Sequence, residues 1–167
     1  MRSQMLMDLA RLAISGKPGG ANIDGATSST YTLTQAEVGK TVTASVSYTD
    51  GGGTSETVTS AATQAIVNVN DAPTGSVAVT GTATQGGTLT ADTSALADAD
   101  GLGAFSYQWK AGGANIDGAT SSTYTLTQAE VGKTVTASVS YTDGGGTSEN
   151  VLSLASAVVS NFNDAPT

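Results

Sequence analysis

Cysteine and histidine are both absent, which removes disulfides, thiolate nucleophiles, zinc and haem sites and the commonest general base. Basic residues are scarce too: 6 against 14 acidic ones, a formal charge of −8, leaving no electrostatic footprint for nucleic acid and no polybasic patch for anionic lipid. The acidic balance favours cations as partners. No apolar run approaches the roughly 20 residues that cross a bilayer, so membrane insertion is not expected. The opening MRSQMLMDLARLAI has neither the long apolar core nor the small-residue cleavage site of a secretion signal. An export signal is therefore expected elsewhere in a longer parent. The lack of disulfides leaves the compartment open, because calcium can staple a small extracellular domain in their place.

What is present is repetition. Residues 19–56 and 112–149 are the same 38 residues, GGANIDGATSSTYTLTQAEVGKTVTASVSYTDGGGTSE, and NDAPT at 70–74 returns at 163–167 with the same offset of 93. A fixed period of about one small domain marks tandem beads rather than one active site built from the whole chain. The expected organisation is an incomplete repeat over 19–69, an intact one over 70–162, and the start of the next linker at 163–167. A mechanical or adhesive role fits this better than a catalytic one, and no catalytic residue is expected.

Residues 1–18 break the period, since MRSQMLMDLARLAISGKP stands where the offset demands SALADADGLGAFSYQWKA. Back-translated with permitted codon choices and read one nucleotide out of step, Gln4–Asp8 can spell Asp-Ala-Asp-Gly, and Ala13–Lys17 can spell Tyr-Gln-Trp-Lys. The segment reads as a frame-displaced copy of the repeat, not a native element. Its Met, Leu, Ala and Arg content would still allow a short helix.

Strict alternation of apolar and polar residues in short runs between Gly, Asp and Asn predicts an all-β fold. Val77 and Val79 share one face of a first strand, Leu89 and Ala91 of a second, and Phe105, Tyr107 and Trp109 of a third; Tyr124 and Leu126 continue the pattern. Over 133–142, Val135, Ala137, Val139 and Tyr141 alternate with Ser and Thr, predicting one buried and one wet face. The glycines of DGGGT at 143–147 suit a hairpin turn, with a last strand expected through Val151, Leu154 and Val158. Asp50 and Asp143 are read as hairpin residues.

The stretch YQWKAGGANIDGATSSTYTLTQAEVGKTVTASVSY resembles the centre of an immunoglobulin-like domain, with Trp109 at the strand-C position, STYTLT as strand E and Glu130–Gly132 as the corner before strand F. Neither inter-sheet cysteine is present, and Thr134 stands where a corner tyrosine is usual. The resemblance implies immunoglobulin-like Greek-key β-sandwich repeats in tandem, the first truncated, with a core resting on Trp109, Leu126, Val131, Val135 and Val139. With its opening NDAPTGSVAVTGTATQGGTLTADTSALADADGLG, the unit is similar to the tandem immunoglobulin-like or cadherin-like repeats of giant secreted bacterial surface adhesins, often exported by type I secretion. That likeness implies a spacer in an extracellular or cell-surface stalk, partnered by neighbouring repeats of the same chain.

The same likeness implies calcium at the junctions. Cadherin junctions use an acid near the E–F corner, an acidic linker and a DAD motif; this chain has Glu37, then Asn70 and Asp71 within NVNDAP, then Asp98 and Asp100 within DAD. Calcium takes six to eight oxygens on a backbone that can curl around it, as Asp98-Ala99-Asp100-Gly101 allows. The bland reading is that Asp, Asn and Gly populate turns with no metal. A second function class is an accessory module binding carbohydrate or another ligand on a secreted polysaccharide-active enzyme, which would need Trp109 and Tyr107 exposed as a stacking platform. The truncated first repeat should leave Tyr31, Leu33, Val42, Val46 and Tyr48 without an intact partner sheet, so self-association of the chain is expected there.

Overall fold

Val135, Ala137, Val139 and Tyr141 are all buried while the Ser and Thr residues between them are half-buried, the period of two that an extended chain imposes when one face meets a core. A computed structural model describes residues 8–17 and 21–163, the first of these segments for its backbone alone. The chain divides into two units, Met1–Val69 and Asn70–Thr167. The described residues of the first carry β1 (Asp8–Lys17), β2 (Ala21–Asn22), β3 (Thr41–Thr49) and β4 (Ser55–Thr59). Those of the second carry β5 (Ala78–Gly81), β6 (Thr88–Asp92), β7 (Ser106–Ala111), β8 (Ala114–Asn115), β9 (Thr123–Thr125), β10 (Val135–Thr142) and β11 (Ser148–Leu152).

In the second unit the strands form two antiparallel sheets, ordered β5-β6-β9 and β11-β10-β7-β8. Leu89 and Ala91 of the first sheet and Trp109, Val135, Ala137 and Val139 of the second belong to one buried cluster, so the two inner faces share a core in a β-sandwich arrangement. Trp109 is fully buried, and its indole Nε1–H donates to the Ser121 carbonyl at 2.8 Å, satisfying the one polar atom that burial would strand. Val131 packs only at the margin, whereas Val77, Leu89 and Val159 are fully buried.

The last strand is shorter than its sequence suggests. β11 stops at Leu152, and beyond it the amides of Ser153, Ser156 and Val159 donate in turn to the carbonyls of Ala137, Val135 and Lys133. Every third residue therefore faces inward, and Leu154 and Val158, placed for a period of two, point to solvent. The hydroxyls of Ser153 and Ser156 accept from the amides of Ala137 and Val135, which fixes the three-residue spacing. Ser60, Thr63 and Ile66 follow the same path along β3.

The first unit has one four-stranded antiparallel sheet, ordered β2-β1-β3-β4. β1 lies against β3 as β7 lies against β10, but two residues out of step: Gly16 faces Val42, whereas Ala111 faces Val135. Helix-favouring composition yields here to the unpaired edge of β3, whose amides and carbonyls need partners. The core is small: Ala26 and Val42 are buried, and Ile23, Tyr31, Ala44 and Ile66 pack partly against them.

Candidate functional site

β10 sends alternate side chains inward, and its inward series does not end with Tyr141. The next position of that parity is Asp143, which carries a carboxylate to the end of the core and is 6% exposed. The loop after β6 meets it there. The Gly144 amide donates to the Asp100 carbonyl at 3.0 Å, and a Cβ on Gly144 would fall 2.4 Å from that oxygen. A Cβ on Gly103 would fall 2.0 Å from the Thr142 carbonyl. Glycine at both positions permits the backbones to touch.

Within this contact the acids are ordered by hydrogen bonds. The Asp100 amide donates to Asp98 Oδ1 at 2.9 Å, closing an Asx turn. Tyr141 Oη donates to the other oxygen, Asp98 Oδ2, at 2.6 Å. The Asp71 amide donates to Asp100 Oδ2 at 2.7 Å, tying the incoming segment to the loop, and the Thr147 amide donates to Asp143 Oδ1 at 2.7 Å across the hairpin. Burial, and then the Asp98 carboxylate beside it, push the Tyr141 phenol well above the ordinary tyrosine range.

Two oxygens are left over. Asp100 Oδ1 and Asp143 Oδ2 are buried and have no hydrogen-bond partner, although Asp100 is only 7% exposed. A buried carboxylate oxygen without a donor is costly, and a cation or an ordered water is the usual remedy. Hard carboxylate oxygens suit calcium, so the donor chemistry fits. The count fits only in part: among the described residues no group of three or more acidic side chains is arranged to hold a metal ion. Carbonyls and water would have to complete the six to eight oxygens that calcium takes.

The candidate residues are thus sorted by the fold. Asp71, through its amide, and Asp98 and Asp100 share one network. Asn70 stands apart from these bonds, its Nδ2 donating to Glu149 Oε1 at 3.0 Å. Glu37, in the first unit, serves locally: its Oε2 accepts from the Thr34 amide at 2.9 Å and the Thr34 hydroxyl at 2.8 Å, a capping box over the 3₁₀ turn Gln35–Glu37. The Thr34 amide, followed by its hydroxyl, holds the Glu37 carboxyl below the usual range. Thr127 and Glu130 repeat this box in the second unit.

Two members of the cluster lie outside the sequence-based set. Asp143 does serve the hairpin through one oxygen, but its other oxygen is buried and unpartnered, and Tyr141 is a donor to the loop as well as core. The parity of β10 was the available signal: counting inward positions from Val135 reaches Tyr141 and then Asp143. Asp50, in the same local sequence of the first unit, accepts the Gly52 and Thr54 amides at 2.8 Å each through Oδ1, as a hairpin residue. Burial of Trp109 leaves no indole face for a sugar ring. No family model, no curated protein and no solved structure matches this chain.

Proposed function

We propose that the chain is part of an extracellular or cell-surface repeat protein in which immunoglobulin-like Greek-key sandwich units act as spacers in adhesion, stiffened by calcium at the acidic end of the unit. The observation that carries this reading is the repeated block itself: the same 38 residues form β3 in one unit and β10 in the other, with the turn that follows and the first two residues of the next strand, each preceded by the same capping box. A protein made of such copies supplies length. No reacting group is proposed.

The two unpartnered oxygens of Asp100 and Asp143 support the calcium part. The Asp71 amide bonds to Asp100, so a cation held there would fix the segment entering the unit relative to the loop and hairpin. Neutralised carboxylates also repel less, and a linker that neither repels nor flexes transmits direction along a stalk.

Thermal unfolding of the whole chain with and without millimolar calcium, beside an Asp100→Asn, Asp143→Asn double variant, tests this. A ligand that binds only the folded state raises the melting temperature by linkage. A rise of several degrees in the parent and none in the variant is expected. Equal melting in the presence and absence of calcium would leave a plain spacer whose acids are turn residues.

A further inference from the structure

The repeated block provides an internal control, because identical residues meet different surroundings. In the second unit Leu126, Val135 and Ala137 are covered by the β5–β6 hairpin: Leu89 pairs with Tyr124, Thr88 with Thr125, and the Leu126 amide donates to the Gly87 carbonyl at 2.9 Å. Their counterparts in the first unit are Leu33, Val42 and Ala44. Among the described residues of that unit no second sheet lies over them. Leu33 is 45% exposed where Leu126 is 2% exposed, and Tyr31, Leu33, Val42, Ala44, Ala61 and Thr63 line an open, mostly apolar groove of about 270 Å³.

Backbone structure responds in the same way. Thr123–Thr125 is a strand, yet the identical Thr30–Thr32 is not. The segment itself is identical, so the difference follows its neighbours: Thr123–Thr125 pairs with β6, and among the described residues no strand pairs with Thr30–Thr32. The first unit thus keeps the side chains and the backbone groups that β6 engages in the second.

We propose that this face is a docking site for a β-hairpin with the sequence of residues 74–92, supplied in trans as a free segment. The hairpin would add with Leu89 opposite Tyr31 and Thr88 opposite Thr32, burying its Val77, Leu89 and Ala91 against Leu33, Val42 and Ala44. Strand addition of this type draws affinity from the backbone and specificity from alternate side chains. A folded second unit is not the donor, since it holds Val77 and Leu89 fully buried in its own core. The proposal does not depend on the spacer reading or on calcium.

The test adds the synthetic peptide TGSVAVTGTATQGGTLTAD, residues 74–92, to the full chain and follows amide hydrogen exchange. Exchange across 29–33 should slow at least tenfold, with the Leu33 amide most affected, while 122–126 stays unchanged. A peptide carrying Leu89→Asp should have no effect, and Leu33→Asp in the chain, at a position already half exposed, should abolish the response. The proposal is overturned if millimolar peptide leaves 29–33 unprotected, or if the Leu89→Asp peptide protects equally. It is equally overturned if the chain alone protects 29–33 in a concentration-dependent dimer, which would assign the face to a second copy.

Discussion

Tyr141 Oη donates to Asp98 Oδ2 at 2.6 Å, joining the end of β10 to a loop 43 residues earlier. Tyr141 is also packed edge-on against Phe105, with ring centroids 5.6 Å apart at 89°. Phe at position 141 keeps that packing and removes one donor from an anion. Hydrogen bonds to charged groups contribute about 1.5–3 kcal/mol, so Tyr141→Phe should lower stability by about that much in denaturant titration, with an unchanged m-value.

The same pair sets an alkaline limit. The Tyr141 phenol ionises only well above the ordinary tyrosine value of 10.0, burial being the first cause and Asp98 the second. Its raised folded pKa means that the unfolded chain releases this proton first. The stabilisation is complete below pH 10.0 and is lost as pH climbs toward the folded value. Melting temperature should therefore fall above pH 10, and fall less steeply in Tyr141→Phe.

Leu33 and Leu126 offer a matched pair of deletions. Leu126→Ala opens a cavity in a shared core and should cost about 2–5 kcal/mol. Leu33→Ala removes a half-exposed side chain and should cost well under half of that. Equal costs, measured by thermal unfolding, would mean that the first unit is covered in solution.

Glycine at 144 is held by space, since a methyl group there would lie 2.4 Å from the Asp100 carbonyl oxygen. Gly144→Ala must push the loop and hairpin apart, at a cost of about 1–3 kcal/mol, and should increase proteolysis within 98–103.

On the acid side, Glu37 is depressed by the Thr34 amide and hydroxyl, so its contribution is present above the ordinary value of 4.5 and is lost as pH falls through the lower folded value. Thr34→Ala should cost about 1 kcal/mol and flatten that acid dependence, read by unfolding monitored between pH 6 and pH 2.

Much of the fold was legible because alternation is a local property. Val135 to Tyr141 could be read as a half-buried strand with no knowledge of what lay across from it, whereas the placing of Trp109 inside came from its resemblance to an immunoglobulin-like strand C, since alternation alone puts Phe105 and Tyr107 on the same face. The exit segment was not legible, because its period of three comes from Ser153 and Ser156 bonding to β10, a relation between distant residues. Nor was the strand character of 8–17, where the edge of β3 decides against a helix-favouring composition. At the acidic end, Asp98 and Asp100 stood out as a short motif, whereas Asp143 looked like one more hairpin aspartate. Asp50 follows Tyr48 just as Asp143 follows Tyr141, so the local sequence does not separate them; the loop carrying Asp100, which packs on the second hairpin and buries Asp143, does.

In the second unit the segment 83–85 runs parallel to Ser160, with the Gln85 amide on the Ser160 carbonyl and the Ser160 amide on the Ala83 carbonyl, each at 2.9 Å. The hydroxyls of Thr84 and Ser160 add a third link at 3.0 Å. The turn joining β5 to β6 and the leaving end of the unit thus lie side by side and point the same way. Tension applied along the leaving end would load these bonds together, in shear, instead of peeling them singly. Forced unfolding is governed by the rate of the opening step, and a simultaneous break has the higher barrier.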